Sequence, residues 1–73
     1  MIDREKYDLL KIFSAKLIST RKKLLLSQDK LAKLANCSTS QIVRIEHCES
    51  DPSYTLIVRL AKALNISPKE LMS

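Results

Sequence analysis

The chain's single histidine, His47, adjoins Cys48, and the one other cysteine is Cys37. These are the side chains best suited to hold a metal or act as a nucleophile. Their spacing matches no common zinc pattern, so no metal site is expected. One histidine and 8 acidic residues scattered over a basic chain give no Ser-His-Asp set and no carboxylate pair, so no catalytic site is expected either. Glycine is absent, which removes Gly-rich phosphate loops and the dinucleotide-binding fingerprint. Tight hairpins usually need glycine as well, so an all-β fold is disfavoured. No cofactor is implied. The cysteines read as reduced thiols of a cytoplasmic protein, with a redox pair as the sharper alternative.

The chemistry that remains is electrostatic. Lys and Arg number 13 against 8 Asp and Glu, a net charge of +5 and a pI near 9.5. That excess favours a polyanion, nucleic acid before an acidic membrane surface. It is also concentrated. Lys11, Lys16, Arg21, Lys22, Lys23, Lys30 and Lys33 face one acid, Asp29, so seven charges against one leave a local excess of +6. No stretch approaches 18 consecutive apolar residues, and the first residues are too charged for a signal peptide, so no membrane association is expected.

The elements that must position this charge are helical. The 73 residues suit one domain with a thin aliphatic core. Asp3 is a candidate N-cap. Leu10, Phe13, Leu17 and Leu24 recur with helical spacing, predicting a first helix over about 4–24. Ser27 caps a second helix with Leu31, Leu34 and Ala35 inward. It stops at Asn36, which tolerates a left-handed cap. Ser38 and Gln41 form a capping box for a third helix with Ile42 and Ile45 inward. Pro52 ends that run. Ser53 caps a fourth helix over about 53–64. Ser67, Pro68 and Glu70 begin a fifth over about 68–72. Five helices with short connections predict a compact all-α domain covering 1–73. Two short helices joined by a tight turn at residues 28–47 predict a helix-turn-helix.

The particular residues go further. Arg21, Leu26-Ser27-Gln28, Leu31-Ala32, Cys37-Ser38, Ile42, Ile45-Glu46, Pro52-Ser53, the run Leu60 to Ser67, and Leu71 resemble the phage repressor and Cro family, the XRE-like regulators. The resemblance covers about residues 14–71. It implies a five-helix, lambda-repressor-like DNA-binding domain, usually dimeric, that reads a palindromic operator.

On that resemblance the third helix lies in the major groove. Thr39, Ser40 and Arg44 then occupy base-contacting positions, and the outward Val43 would meet a thymine methyl. Arg44 is the strongest, since a guanidinium bidentate to guanine is the commonest specific contact. The resemblance gives Gln28 a phosphate contact at a helix N-terminus. Gln41 would reach DNA in addition to capping. Lys22, Lys23, Lys30 and Lys33 lie close enough to the motif to meet phosphates, whereas Lys11 and Lys16 fit a solvated face. Arg21 and Glu46 correspond to a partly buried ion pair, although Arg21 also fits a phosphate contact. Cys37 falls at a small buried apolar position.

The departures are equally specific. Relatives commonly carry glycine where this chain has Leu25, Asn36 and Cys48, so Leu25 and Cys48 mark strained or rebuilt turns. Leu56 stands where relatives are usually polar. With Ile66 and Met72 it would form an exposed apolar patch for a homodimer through the last two helices. The expectation is a sequence-specific regulator of double-stranded DNA without an evident small-molecule effector, controlled by its own concentration. The alternative is an antitoxin-like interaction module that uses the same fold to mask a partner protein.

Overall fold

The computed structural model describes residues 4–73, so the proposed Asp3 cap lies outside the described residues. Five helices follow in order: α1 Arg4–Lys23, α2 Gln28–Ala35, α3 Thr39–Glu46, α4 Tyr54–Ala63 and α5 Pro68–Met72. Each of the last four starts at a serine. The side chains of Ser27, Ser38, Ser53 and Ser67 accept from the backbone N–H of Lys30, Gln41, Leu56 and Glu70. Capping of this kind satisfies a donor that the first helical turn leaves open. Ser38 and Ser67 complete reciprocal capping boxes with Gln41 and Glu70.

The helix ends share one device. Leu25, Asn36, Cys48 and Asn65 have φ of 59°, 56°, 60° and 58°. After each, a backbone N–H reaches the carbonyl five residues earlier. These bonds run from Leu26 to Arg21 at 3.1 Å, Cys37 to Ala32 at 2.9 Å, Glu49 to Arg44 at 2.8 Å and Ile66 to Ala61 at 3.0 Å. The N–H of each left-handed residue also bonds three residues back. This is the Schellman termination, and it normally uses glycine at the left-handed position. Here it is built four times without one. Asparagine tolerates that backbone, whereas leucine and cysteine carry a Cβ clash costing about 1 kcal/mol each.

One core joins the elements. Leu17, Leu31, Ile42, Ile45, Leu60, Leu64 and Leu71 are fully buried at its centre. Helix α2 packs on α3 and α4, α4 on α5, and α1 on α3 and α5. On α1 the buried face is Phe13, Ser14, Leu17 and Arg21. Leu10 is only half-buried. Leu24 lies beyond the last helical residue and is exposed, because the chain turns at Leu25 before the apolar stripe returns inward. On α2 the buried residues are Leu31, Ala32 and Ala35. At 100° per residue that face is centred near Ala35, which leaves Leu34 on its edge and exposed.

The exposed patch expected around Leu56 does not form. Leu56 is 8% exposed and belongs to the core. It follows the Ser53 cap by three residues, a position that turns its side chain inward beside Leu60. Ile66 is partly buried against the same core, and of the three only Met72, at 53%, is exposed. Met72 borders an apolar cavity of about 430 Å³ that Leu9, Leu10, Phe13, Pro52 and Ile57 also line. Among the described residues, no helix is long and apolar enough to cross a membrane.

Candidate nucleic-acid interface

The site is built on two short helices and the three residues between them. Asn36 ends α2 in the left-handed conformation, and Ser38 begins α3 two residues later. The Ser38 N–H donates to Gln41 Oε1 at 3.0 Å, and the Gln41 N–H donates to Ser38 Oγ at 3.1 Å. Both ends of the turn are therefore fixed by local bonds. The α3 helix is then held from inside by Ile42, Ile45 and Glu46, all buried.

That anchoring decides which side of α3 faces out. Ser40 and Arg44 are exposed, and Thr39 and Val43 are half-buried. Each pair is four residues apart, so the four side chains share one continuous helix face. Gln41 is half-buried and its Oε1 is taken by the cap. Lys22 and Lys23 at the end of α1, and Lys30 and Lys33 on α2, are exposed. Lys11 sits over the Tyr7 ring, 5.8 Å from its centre.

Behind this face lies a buried ion pair. Arg21 Nε donates to Glu46 Oε2 at 2.7 Å, and a terminal guanidinium nitrogen donates to Oε1 at 3.0 Å. The other terminal nitrogen donates to the Leu26 carbonyl at 2.8 Å. Arg21 and Glu46 are each 9% exposed. One guanidinium thus ties α1 to the end of α3 and also to the Leu25 turn, in the bidentate geometry that a planar fork permits.

Two contacts were not visible in the sequence. Gln28 Nε2 donates to Glu46 Oε1 at 3.0 Å, so the start of α2 is tied to the end of α3. The residue expected at a phosphate is therefore also part of the buried network. Its Oε1 and second amide proton remain for another partner. Thr39 Oγ1 donates to Asp29 Oδ1 at 2.7 Å, linking the first turns of α2 and α3. Local sequence patterns carry no signal for either bond, because each depends on how two helices cross.

One cysteine lies in the turn of the motif and the other just after α3. Cys37 is half-buried against the core, and burial pushes its thiol above the ordinary value of 9.0, with the Arg59 guanidinium opposing. Cys48 is half-buried, with its sulfur 3.1 Å from the hydroxyl of buried Ser14 on α1. That contact helps hold the left-handed turn after α3.

Two helices, a capped three-residue turn and an outward polar face on the second helix define a helix-turn-helix domain. The chain belongs to the HTH_3 helix-turn-helix family, whose model matches residues 17–71. It is 35% identical to the restriction-modification controller protein C.AhdI from Aeromonas hydrophila, with a TM-score of 0.83 over 85% of this chain and 94% of that one. An HTH_3 family transcriptional regulator from Vibrio cholerae is 26% identical, with a TM-score of 0.86 over 90% of this chain. This chain spans 37% of that regulator. The hypothetical transcription factor NHTF from Neisseria, at 19% identity, shares the fold with a TM-score of 0.87 over 93% of this chain and 78% of that one. No curated protein matches the chain.

Proposed function

We propose that the protein is a sequence-specific transcriptional regulator that binds a palindromic double-stranded DNA operator as a homodimer, with α3 in the major groove. The observation that carries this reading is the outward face of α3. Its base-reaching side chains, Thr39, Ser40, Val43 and Arg44, stand on a helix whose opposite face is fixed by Ile42, Ile45 and the Arg21–Glu46 pair. An α-helix with its side chains is about 10–12 Å across, which suits insertion into a major groove about 12 Å wide. The exposed Lys22, Lys23, Lys30 and Lys33 supply phosphate contacts, and the free groups of Gln28 and Gln41 add to them. Phosphate contacts set the register while the α3 side chains discriminate bases.

A palindrome requires two copies related by a two-fold axis, with half-sites about one helical turn apart. We assign the pairing face to the α5 side, with Met72 and the exposed part of Ile66. Leu56 is excluded because it lies in the core. The likeness to a restriction-modification controller supports a small controller protein; we further propose that it acts in the cytoplasm through its own concentration.

Arg44→Ala tests the docking. It should weaken operator binding by about 1–3 kcal/mol and relax preference at one base pair per half-site. Unchanged affinity and unchanged preference would remove α3 from the groove.

A further inference from the structure

The Thr39–Asp29 hydrogen bond sets the polarity of one base contact. A threonine hydroxyl has one proton to donate and two lone pairs to accept with. Here the proton is committed, because Oγ1 donates to Asp29 Oδ1 at 2.7 Å. A carboxylate can only accept, so the direction of this bond is fixed. Asp29 is held in place by α2, where a negative charge in the first turn suits the helix dipole. Thr39 is the first residue of α3, immediately after the Ser38 cap. The oxygen that Thr39 turns toward DNA therefore retains lone pairs and has no proton to offer. Ser40 differs. It is exposed, and among the described residues nothing holds its hydroxyl, so it can donate or accept.

In the major groove the hydrogen-bond donors on base edges are adenine N6 and cytosine N4. Guanine N7 and O6 and thymine O4 are acceptors. We propose that Asp29 makes Thr39 an acceptor-only reader, so that each half-site carries adenine or cytosine, and not guanine or thymine, at the base Thr39 faces. Asp29 is then a specificity-positioning residue that acts through Thr39. This inference rests on the DNA-binding reading above and adds the chemical class of one base. Before water is expelled at an interface, an exposed hydroxyl can exchange partners freely. Once it is expelled, an acceptor facing an acceptor has no bridging proton, and that mismatch carries the discrimination.

The experiment selects bound duplexes from random DNA with the wild type, Thr39→Val, Thr39→Ser and Asp29→Ala, each checked for folding by its thermal melt. In the wild type, one position per half-site should favour adenine or cytosine about tenfold, the ratio for a hydrogen bond of about 1.4 kcal/mol. Thr39→Ser keeps the hydroxyl and should keep the preference. Thr39→Val keeps the shape and a methyl, and should flatten that position alone. Asp29→Ala frees the proton and should admit guanine and thymine there.

Several results would overturn the inference. One is a thymine preference that survives in Thr39→Val, which would mean that the methyl is read. Another is a preference lost in Asp29→Ala but kept in Thr39→Val, which would make Asp29 the reader. Identical motifs from all four proteins would also overturn it. A wild type that enriches a motif while these controls fail refutes this inference alone. A wild type that enriches nothing refutes the DNA-binding reading and this inference with it.

Discussion

Removing the Arg21 side chain is among the most severe single changes the structure defines. Arg21→Ala deletes two charge-assisted hydrogen bonds to Glu46 and a third to the Leu26 carbonyl. It leaves the Glu46 carboxylate, 9% exposed, with Gln28 as its one remaining partner among the described residues. Stranding a buried charge in this way costs about 3–5 kcal/mol. A chain of 73 residues has about 4–11 kcal/mol of total stability at typical values per residue. The variant should therefore lose about a quarter or more of its stability, and at the low end of that range it would be marginally stable or unfolded at 25 °C. Urea unfolding followed by circular dichroism measures the loss. The control is Arg21→Met with Glu46→Leu, which removes both charges and keeps apolar volume. It should recover most of the loss, because an ion pair replaced by apolar packing is often neutral or better. A loss below about 1 kcal/mol for Arg21→Ala would show that the pair is effectively solvated. A double variant no better than the single one would show that packing, and not the stranded charge, carries the effect.

Three further outcomes follow from individual residues. Leu25 is 92% exposed with φ at 59°, so Leu25→Gly relieves backbone strain without loss of packing. It should raise stability by about 1 kcal/mol, or about 4–8 °C in Tm for a domain of this size; an unchanged or lower Tm would contradict the strained turn. Lys33→Ala should weaken binding to all DNA sequences alike and reduce the salt slope by about one, read from affinities at several salt concentrations. Because burial raises the Cys37 thiol above 9.0 in the folded chain, the unfolded chain releases that proton first. Its contribution to stability is intact below pH 9 and is lost as pH rises from there through the folded value. Denaturation series across that range should show the decline, and Cys37→Ala should remove the part due to this thiol.

Much of the fold was legible because each of the last four helices announces its own start. Serines at 27, 38, 53 and 67 precede apolar residues at helical spacing, and capping is a local interaction that sequence can carry. The left-handed turns at Leu25 and Cys48 were legible only against a family that places glycine there, whereas Asn36 was a candidate left-handed cap by its residue type. Asn65 could be read as a helix end from its residue type alone. The burial errors have separate causes. Leu24 lies past the end of α1, and Leu34 sits at the edge of a face centred near Ala35. The outward placement of Leu56 rests on comparison with relatives that are polar there, although its position after the Ser53 cap turns it into the core. The outward face of α3 followed from its inward isoleucines. The bonds from Thr39 to Asp29 and from Gln28 to Glu46 join residues 10 and 18 apart in sequence. They are set by how α2 crosses α3, which no periodicity encodes.

The most direct test of the account is the set of duplexes that the wild-type protein retains from random DNA. The account predicts a palindrome whose half-sites lie about 10 base pairs apart, centre to centre, each bound by one α3. A preferred sequence without two-fold symmetry would contradict the dimer, and the absence of any preferred sequence would contradict the regulator.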